Sequence, residues 1–225
     1  MSRQRDINAK MRAILIDWLV EVHMKFRLVP ETLYLCVNII DRYCSLVNVP
    51  RSKLQLVGVT ALLIACKYEE IYPPEVRDCV YITDRAYQNS EVLDMEQDIV
   101  HKLEFKITVP TAYPFLQRFL SIIKAPTLVK HAAHYYTERT LQEHDMLQYR
   151  PSLICASSII LAINHEEIAD EESMPWDPEN ICVVSNWRSM VDHYTLYVDC
   201  KRMHSNIFTS IIRIQATYSS RIYWV

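Results

Sequence analysis

Glycine is all but missing: Gly58 is the only one in 225 residues. Phosphate-cradling loops and dinucleotide-binding turns need several glycines to bring backbone N–H groups against a ligand. No P-loop, Rossmann fingerprint or kinase glycine-rich loop can therefore be written here. Asn-Gly and Asp-Gly hairpin turns are absent as well, which leaves helices joined by Pro, Asn and Asp turns as the economical architecture. The seven cysteines, Cys36, Cys44, Cys66, Cys79, Cys155, Cys182 and Cys200, include no CxxC pair. Odd in number and set mostly in apolar stretches, they read as reduced thiols of a nuclear or cytoplasmic protein. No leading charged-then-apolar segment resembles a signal peptide, and no apolar run approaches the roughly 18 residues of a membrane span. A formal charge of -3 lacks the basic excess of a nucleic-acid-binding face. The expectation is a soluble intracellular chain with no nucleic-acid or membrane partner and no cofactor.

What is present is a chain half apolar and 23% charged, enough to bury a substantial core. Met11, Ile14, Leu15, Trp18, Val22 and Phe26 recur at three- and four-residue steps, predicting a first helix from about Asn8 to Phe26. Pro30 opens a second helix, with Glu31 suited to its first turn, running to about Ser45. A third follows Pro50 and Ser52 and ends near Glu69. Its stripe of Gly58, Ala61 and Ala65 would let another helix approach closely, so it is expected at the centre of a bundle. A short helix after Pro73-Pro74 and another opening at Ser90, capped by that serine with Asp94 one turn on, complete a five-helix set ending near Leu103.

Thr108-Val-Pro-Thr-Ala-Tyr-Pro114 breaks the pattern, and the domain boundary is placed there, dividing the chain into 1–109 and 110–225. Residues Thr60–Ile71 and Ser157–Ile168 match in small and acidic positions at a constant offset of 97, suggesting two copies of one helical module. Lys67 is replaced by Asn164 in the second copy. Glu166 to Asn180, acidic and proline-bearing, reads as a loop, and Leu196 to about Ile214 keeps a helical rhythm.

Met11-Arg-Ala-Ile-Leu-Ile-Asp-Trp18 and Lys53-Leu-Gln-Leu-Val-Gly58, running on to Ala65-Cys-Lys-Tyr-Glu-Glu-Ile-Tyr-Pro-Pro-Glu75, resemble the first cyclin box of A- and B-type cyclins. Asp41-Arg42, Tyr81-Ile-Thr-Asp84 and Met95-Glu96 match the same family in order and spacing. The resemblance covers Asn8 to about Phe119, thins through the second half, and leans toward the mitotic B type. It implies an all-α fold of two tandem five-helix boxes. It also implies a regulatory, non-enzymatic role: binding and activating a cyclin-dependent kinase at the G2/M transition. The alternative is a transcriptional cyclin or a cyclin-box transcription factor, which should be basic.

The resemblance also assigns residues. Lys67 and Glu96 match the kinase-contacting pair, with Tyr68, Val100, Phe105 and Ile107 as apolar positions around it; the tyrosine hydroxyl needs a partner. The competing reading of the pair is an ordinary surface ion pair worth under about 1 kcal/mol. Met11, Ile14, Leu15 and Trp18, beside Leu54 and Gln55, match a shallow groove for Arg-x-Leu type peptides of substrates or inhibitors, with Glu21 meeting the arginine. Periodicity alone favours a buried core face there. Arg12 and Asp41 match an internal pair tying the first two helices. Arg12-Ala-Ile-Leu15 also fits an RxxL degradation signal, read as coincidence because such signals are extended and, in the family, lie in an N-terminal tail. Arg118, Lys130 and His134 lie near the place where B-type cyclins gather basic groups for phosphorylated segments, the competing reading being a solvated face. A metal site at His131, His134 and Glu138 lacks a fourth ligand and the spacing of a di-iron bundle.

Overall fold

The computed structural model describes residues 4–169, and among them every regular element is helical. Helix α1, Ala9–Phe26, begins where the Asn8 side chain accepts a hydrogen bond from Met11 N–H at 3.0 Å. It ends at Arg27, a left-handed residue (φ 54°) that closes the helix without a glycine. Helix α2, Pro30–Leu46, has proline at its first position and Glu31 in its first turn. A 3-10 turn, Arg51–Lys53, leads into α3, Leu54–Glu69. Burial of α3 is nearly continuous from Leu54 to Cys66, because α1, α2, α4 and α5 all pack around it.

Gly58 marks the crossing of α1 and α3. A Cβ there would fall 2.7 Å from Leu15 Cδ1, so the one glycine serves helix approach rather than a turn. Helices α4, Val76–Ile82, and α5, Asn89–Lys102, complete the first five-helix set. The predicted Ser90 cap of α5 is corrected: Gln88 is the N-cap and forms a reciprocal capping box with Glu91, which places Ser90 inside the first turn. Glu75 and Asp78 make the same box for α4.

Helices α6, Ala112–Ile122, α7, Thr127–Arg139, and α8, Pro151–Ala169, follow. Pro114 does not break α6 but sits in its first turn, where a missing N–H costs nothing. The internal repeat is visible in the helices. Pro30 and Thr127 open α2 and α7, and Leu54 and Pro151 open α3 and α8, each pair 97 positions apart. Buried Val129, Ala132, Ala133 and Thr137 fall on buried Thr32, Leu35, Cys36 and Ile40. Buried Cys155, Ser158, Ile159 and Ala162 likewise fall on Gly58, Ala61, Leu62 and Ala65.

Met1–Ala162 make one compact unit, and a second unit begins at Ile163. Residues 166–169, expected to begin a loop, are instead helical, since α8 continues to Ala169. The rest of that expected loop, the helical rhythm expected after Leu196 and the last two helices expected of a second five-helix set fall on residues outside the described ones. No helix among the described residues is long and apolar enough to cross a membrane.

Candidate functional site

The C-terminal end of α3 carries Lys67 out of the core, and α5 brings Glu96 beside it. Lys67 Nζ donates to both carboxylate oxygens, at 2.6 and 2.8 Å. The side chains are 46% and 18% exposed, so the ammonium faces solvent while its carboxylate partner is held against the protein. Around the pair lies an aromatic surface. The Tyr68 hydroxyl finds its partner in Thr108 Oγ1 at 2.5 Å, fastening α3 to the segment after α5. Phe105 is 68% exposed, with the His101 ring edge-on at 5.3 Å. Glu104 and Phe105 both adopt left-handed backbone (φ 53° and 59°), conformations that cost energy without glycine and are kept where surrounding structure enforces them.

Two members of this surface were not legible as such. Ile71 and Tyr72 stand almost wholly in solvent on the turn beyond α3. Their position between the end of a helix and Pro73-Pro74 was the available signal. Val100 and Ile107, by contrast, are half-buried and pack on the core cluster, so they support the surface rather than form its face. Glu70 fixes the platform from below: its Oε1 accepts from Val29 N–H at 2.7 Å and from the Thr32 hydroxyl at 2.6 Å, capping α2 from the end of α3.

A second surface lies on α1. Ile14 is 60% exposed, Glu21 is exposed, and Met11, Trp18 and Gln55 are half-buried. Leu15 and Leu54, expected in the same stripe, are buried in the core, a correction that follows from the close approach at Gly58. They floor the surface without being available to a partner. Arg12, one turn before Ile16, donates from Nε and Nη2 to the two oxygens of Asp41 at 2.6 and 2.7 Å, joining α1 to α2. Its third contact is Nη1 to the Gln142 carbonyl at 3.1 Å. With Arg12 and Leu15 both buried in a helix, the RxxL match is not presented as an extended signal.

The expected basic group is reduced to Arg118 and Lys130, both exposed. His134 lies in the α6–α7 interface, its ring 5.5 Å from that of Tyr113 and its Nε2 3.3 Å from Gln117 Nε2. Burial, and then the neighbouring His131, hold its pKa below the usual value, so it carries no charge for a phosphate at pH 7. Among the described residues no three His, Cys, Asp or Glu side chains come together as a metal site, His131, His134 and Glu138 included. The five described cysteines are free and buried. Burial pushes the Cys66 and Cys155 thiols up to about 12, too high for a thiolate nucleophile at neutral pH.

With this geometry in view, comparison with known proteins is decisive. Residues 1–108 match the cyclin N-terminal domain and residues 110–207 the cyclin C-terminal domain. The chain belongs to the cyclin family. This cyclin is 54% identical over 162 residues to Cyclin-B1-3 of Arabidopsis thaliana, a match covering 72% of the chain and 39% of that relative. It is 46% identical over 199 residues to Cyclin-A1-1 of the same organism, covering 86% of the chain and 40% of the relative. The chain thus spans about two fifths of the length of these relatives. Among solved structures, a viral cyclin from herpesvirus saimiri shares the fold, with a TM-score of 0.67 at 24% identity, covering 83% of this cyclin and 82% of the viral chain.

Proposed function

We propose that this cyclin is the regulatory subunit of a cyclin-dependent Ser/Thr kinase acting at the G2/M transition in the nucleus and cytoplasm, and that it contributes no catalytic group of its own. Its two modules would be 1–109 and 110–225. The observation that carries the proposal is a solvent-facing lysine, braced by a half-buried glutamate, at the end of α3 next to exposed Tyr68 and shortly before exposed Ile71 and Tyr72. Exposed apolar side chains beside one oriented charge suit a partner helix whose terminal carbonyls need a donor. A kinase needs its strand lysine paired with a glutamate on such a helix before the nucleotide phosphates are held correctly. A subunit that binds only the inward position of that helix shifts the population toward the active state.

The α1 surface is proposed to recruit substrates and inhibitors bearing Arg-x-Leu type peptides. Ile14, Trp18 and Met11 would cover the peptide leucine, with Gln55 at the edge and Glu21 for the arginine. Leu15 and Leu54 hold the floor.

Calorimetric titration of the purified chain with monomeric cyclin-dependent kinases tests the first proposal. A one-to-one complex is expected, and no heat with any such kinase would refute it.

A further inference from the structure

The two copies of the helical module differ at the end of their second helix, and the difference touches α1. Helix α2 runs to Leu46, whose counterpart 97 positions on is Glu143, yet α7 stops at Arg139. The turn so released carries Gln142 back against α1 and uses its carbonyl and both polar atoms of its side chain. The Gln142 carbonyl accepts from Arg12 Nη1 at 3.1 Å, its Nε2 donates to Asp17 Oδ1 at 3.0 Å, and its Oε1 accepts from Arg139 Nη1. Arg12 and Asp17 are five positions apart on α1, so one residue of the second module grips the helix at two points more than a turn apart. Exposed Ile14 lies between those points, and half-buried Trp18 lies one position beyond them.

We infer that Gln142 is a positioning residue for the docking helix: its side chain fixes the rotation of α1 about its axis and so sets the Met11–Ile14–Trp18 surface. The inference rests on the reading of that surface as a docking site. Gln142 touches no peptide and acts only through Asp17 and Arg12. The contact was invisible in the sequence, since its partners lie 125 and 130 residues away.

The test uses the full chain in complex with its kinase. Gln142→Glu keeps the size of the side chain, the carbonyl contact and the acceptor for Arg139, but sets a carboxylate oxygen against Asp17. For a substrate carrying an Arg-x-Leu segment, KM is expected to rise about three- to tenfold with kcat unchanged, the loss of one charge-assisted hydrogen bond and its replacement by repulsion. A substrate without the segment should show no change in either constant. By charge alone, an added carboxylate would tighten an arginine-bearing peptide, so weakening reports displacement of the helix. Adding Asp17→Asn supplies an amide that donates to the new carboxylate, and KM should return to the starting value. Unchanged KM for the docked substrate, or an equal loss for both substrates, overturns the inference. If the unaltered complex does not distinguish the two substrates, the docking reading fails by itself. Hydrogen exchange along Ala9–Phe26 then decides for Gln142: faster exchange in Gln142→Glu, reversed by Asp17→Asn, supports the grip on α1, and unaltered exchange removes it.

Discussion

The Arg12–Asp41 and Lys67–Glu96 pairs join the same kinds of groups in the same module, at the same 2.6 Å separation, and differ in where they sit. Arg12 and Asp41 are 1% and 13% exposed, and the third guanidinium nitrogen donates to a backbone carbonyl. Lys67 is 46% exposed, next to exposed Tyr68. Burial makes the first pair costly to break and useless to a partner. Exposure makes the second cheap to break in the free protein and valuable once a partner removes its water. The side chains fit these tasks: a planar fork binds a carboxylate bidentately, whereas a compact ammonium can turn a donor toward a new acceptor.

The sharpest way to break the comparison is to delete one cation from each pair. Arg12→Ala leaves Asp41 largely buried without its cation and should cost about 3 to 5 kcal/mol of stability in chemical denaturation. Lys67→Ala should leave stability within about 1 kcal/mol. It should nevertheless weaken kinase binding by about 3 kcal/mol in calorimetry, since Glu96 would be desolvated against the partner without a charge to meet it. A matched loss of stability in the two variants would erase the distinction.

Smaller changes test the α1 surface and its floor. Ile14→Ala removes an exposed side chain, so the fold should keep its stability while affinity for an Arg-x-Leu peptide falls by about 1 to 2 kcal/mol in fluorescence anisotropy. Trp18 is a poorer probe, because it also packs against buried core residues of the first five-helix set. Gly58→Ala sets overpacking against Leu15, about 1 to 3 kcal/mol, against a helix-propensity gain of about 1 kcal/mol. A net loss of about 1 kcal/mol is expected in the denaturation midpoint.

The smallest effect is with pH. Burial holds His23, His134 and His144 below the ordinary histidine value of 6.5. The unfolded chain therefore takes up protons first as pH falls through 6.5, and stability should drop in that window. Burial raises the Glu138 carboxyl, whose contribution runs the other way, growing as pH falls toward the unfolded carboxyl value. A melting temperature that declines from pH 7.5 to 5.5, with a shallower decline in His134→Gln, is the expected result.

Local signals were legible in the sequence where they are strong. The starts of α1 and α2 follow from Asn8 and Pro30, and the stripe of Gly58, Ala61 and Ala65 announced a close helix approach to α3, though not that α1 makes it. The α5 cap was misplaced because Gln88 with Glu91 does in this chain what Ser90 more often does. Periodicity could not separate Ile14 from Leu15, since adjacent residues on a helix point about 100° apart and the depth of each depends on how near α3 comes. The contacts of Glu70 with Val29, of Tyr68 with Thr108 and of Gln142 with Asp17 span 40 residues or more, and nothing local announces them. The kinase and peptide surfaces came from family resemblance. The structure then sorted their residues into those that face solvent and those that are buried beneath them.

The most direct test of the central claim is histone phosphorylation by a monomeric cyclin-dependent kinase mixed with the purified chain or with its Lys67→Ala form, both verified as folded. Strong stimulation by the first and little by the second is the predicted result. Equal stimulation by both, or none by either, would contradict the assignment of the Lys67 surface as the activating contact.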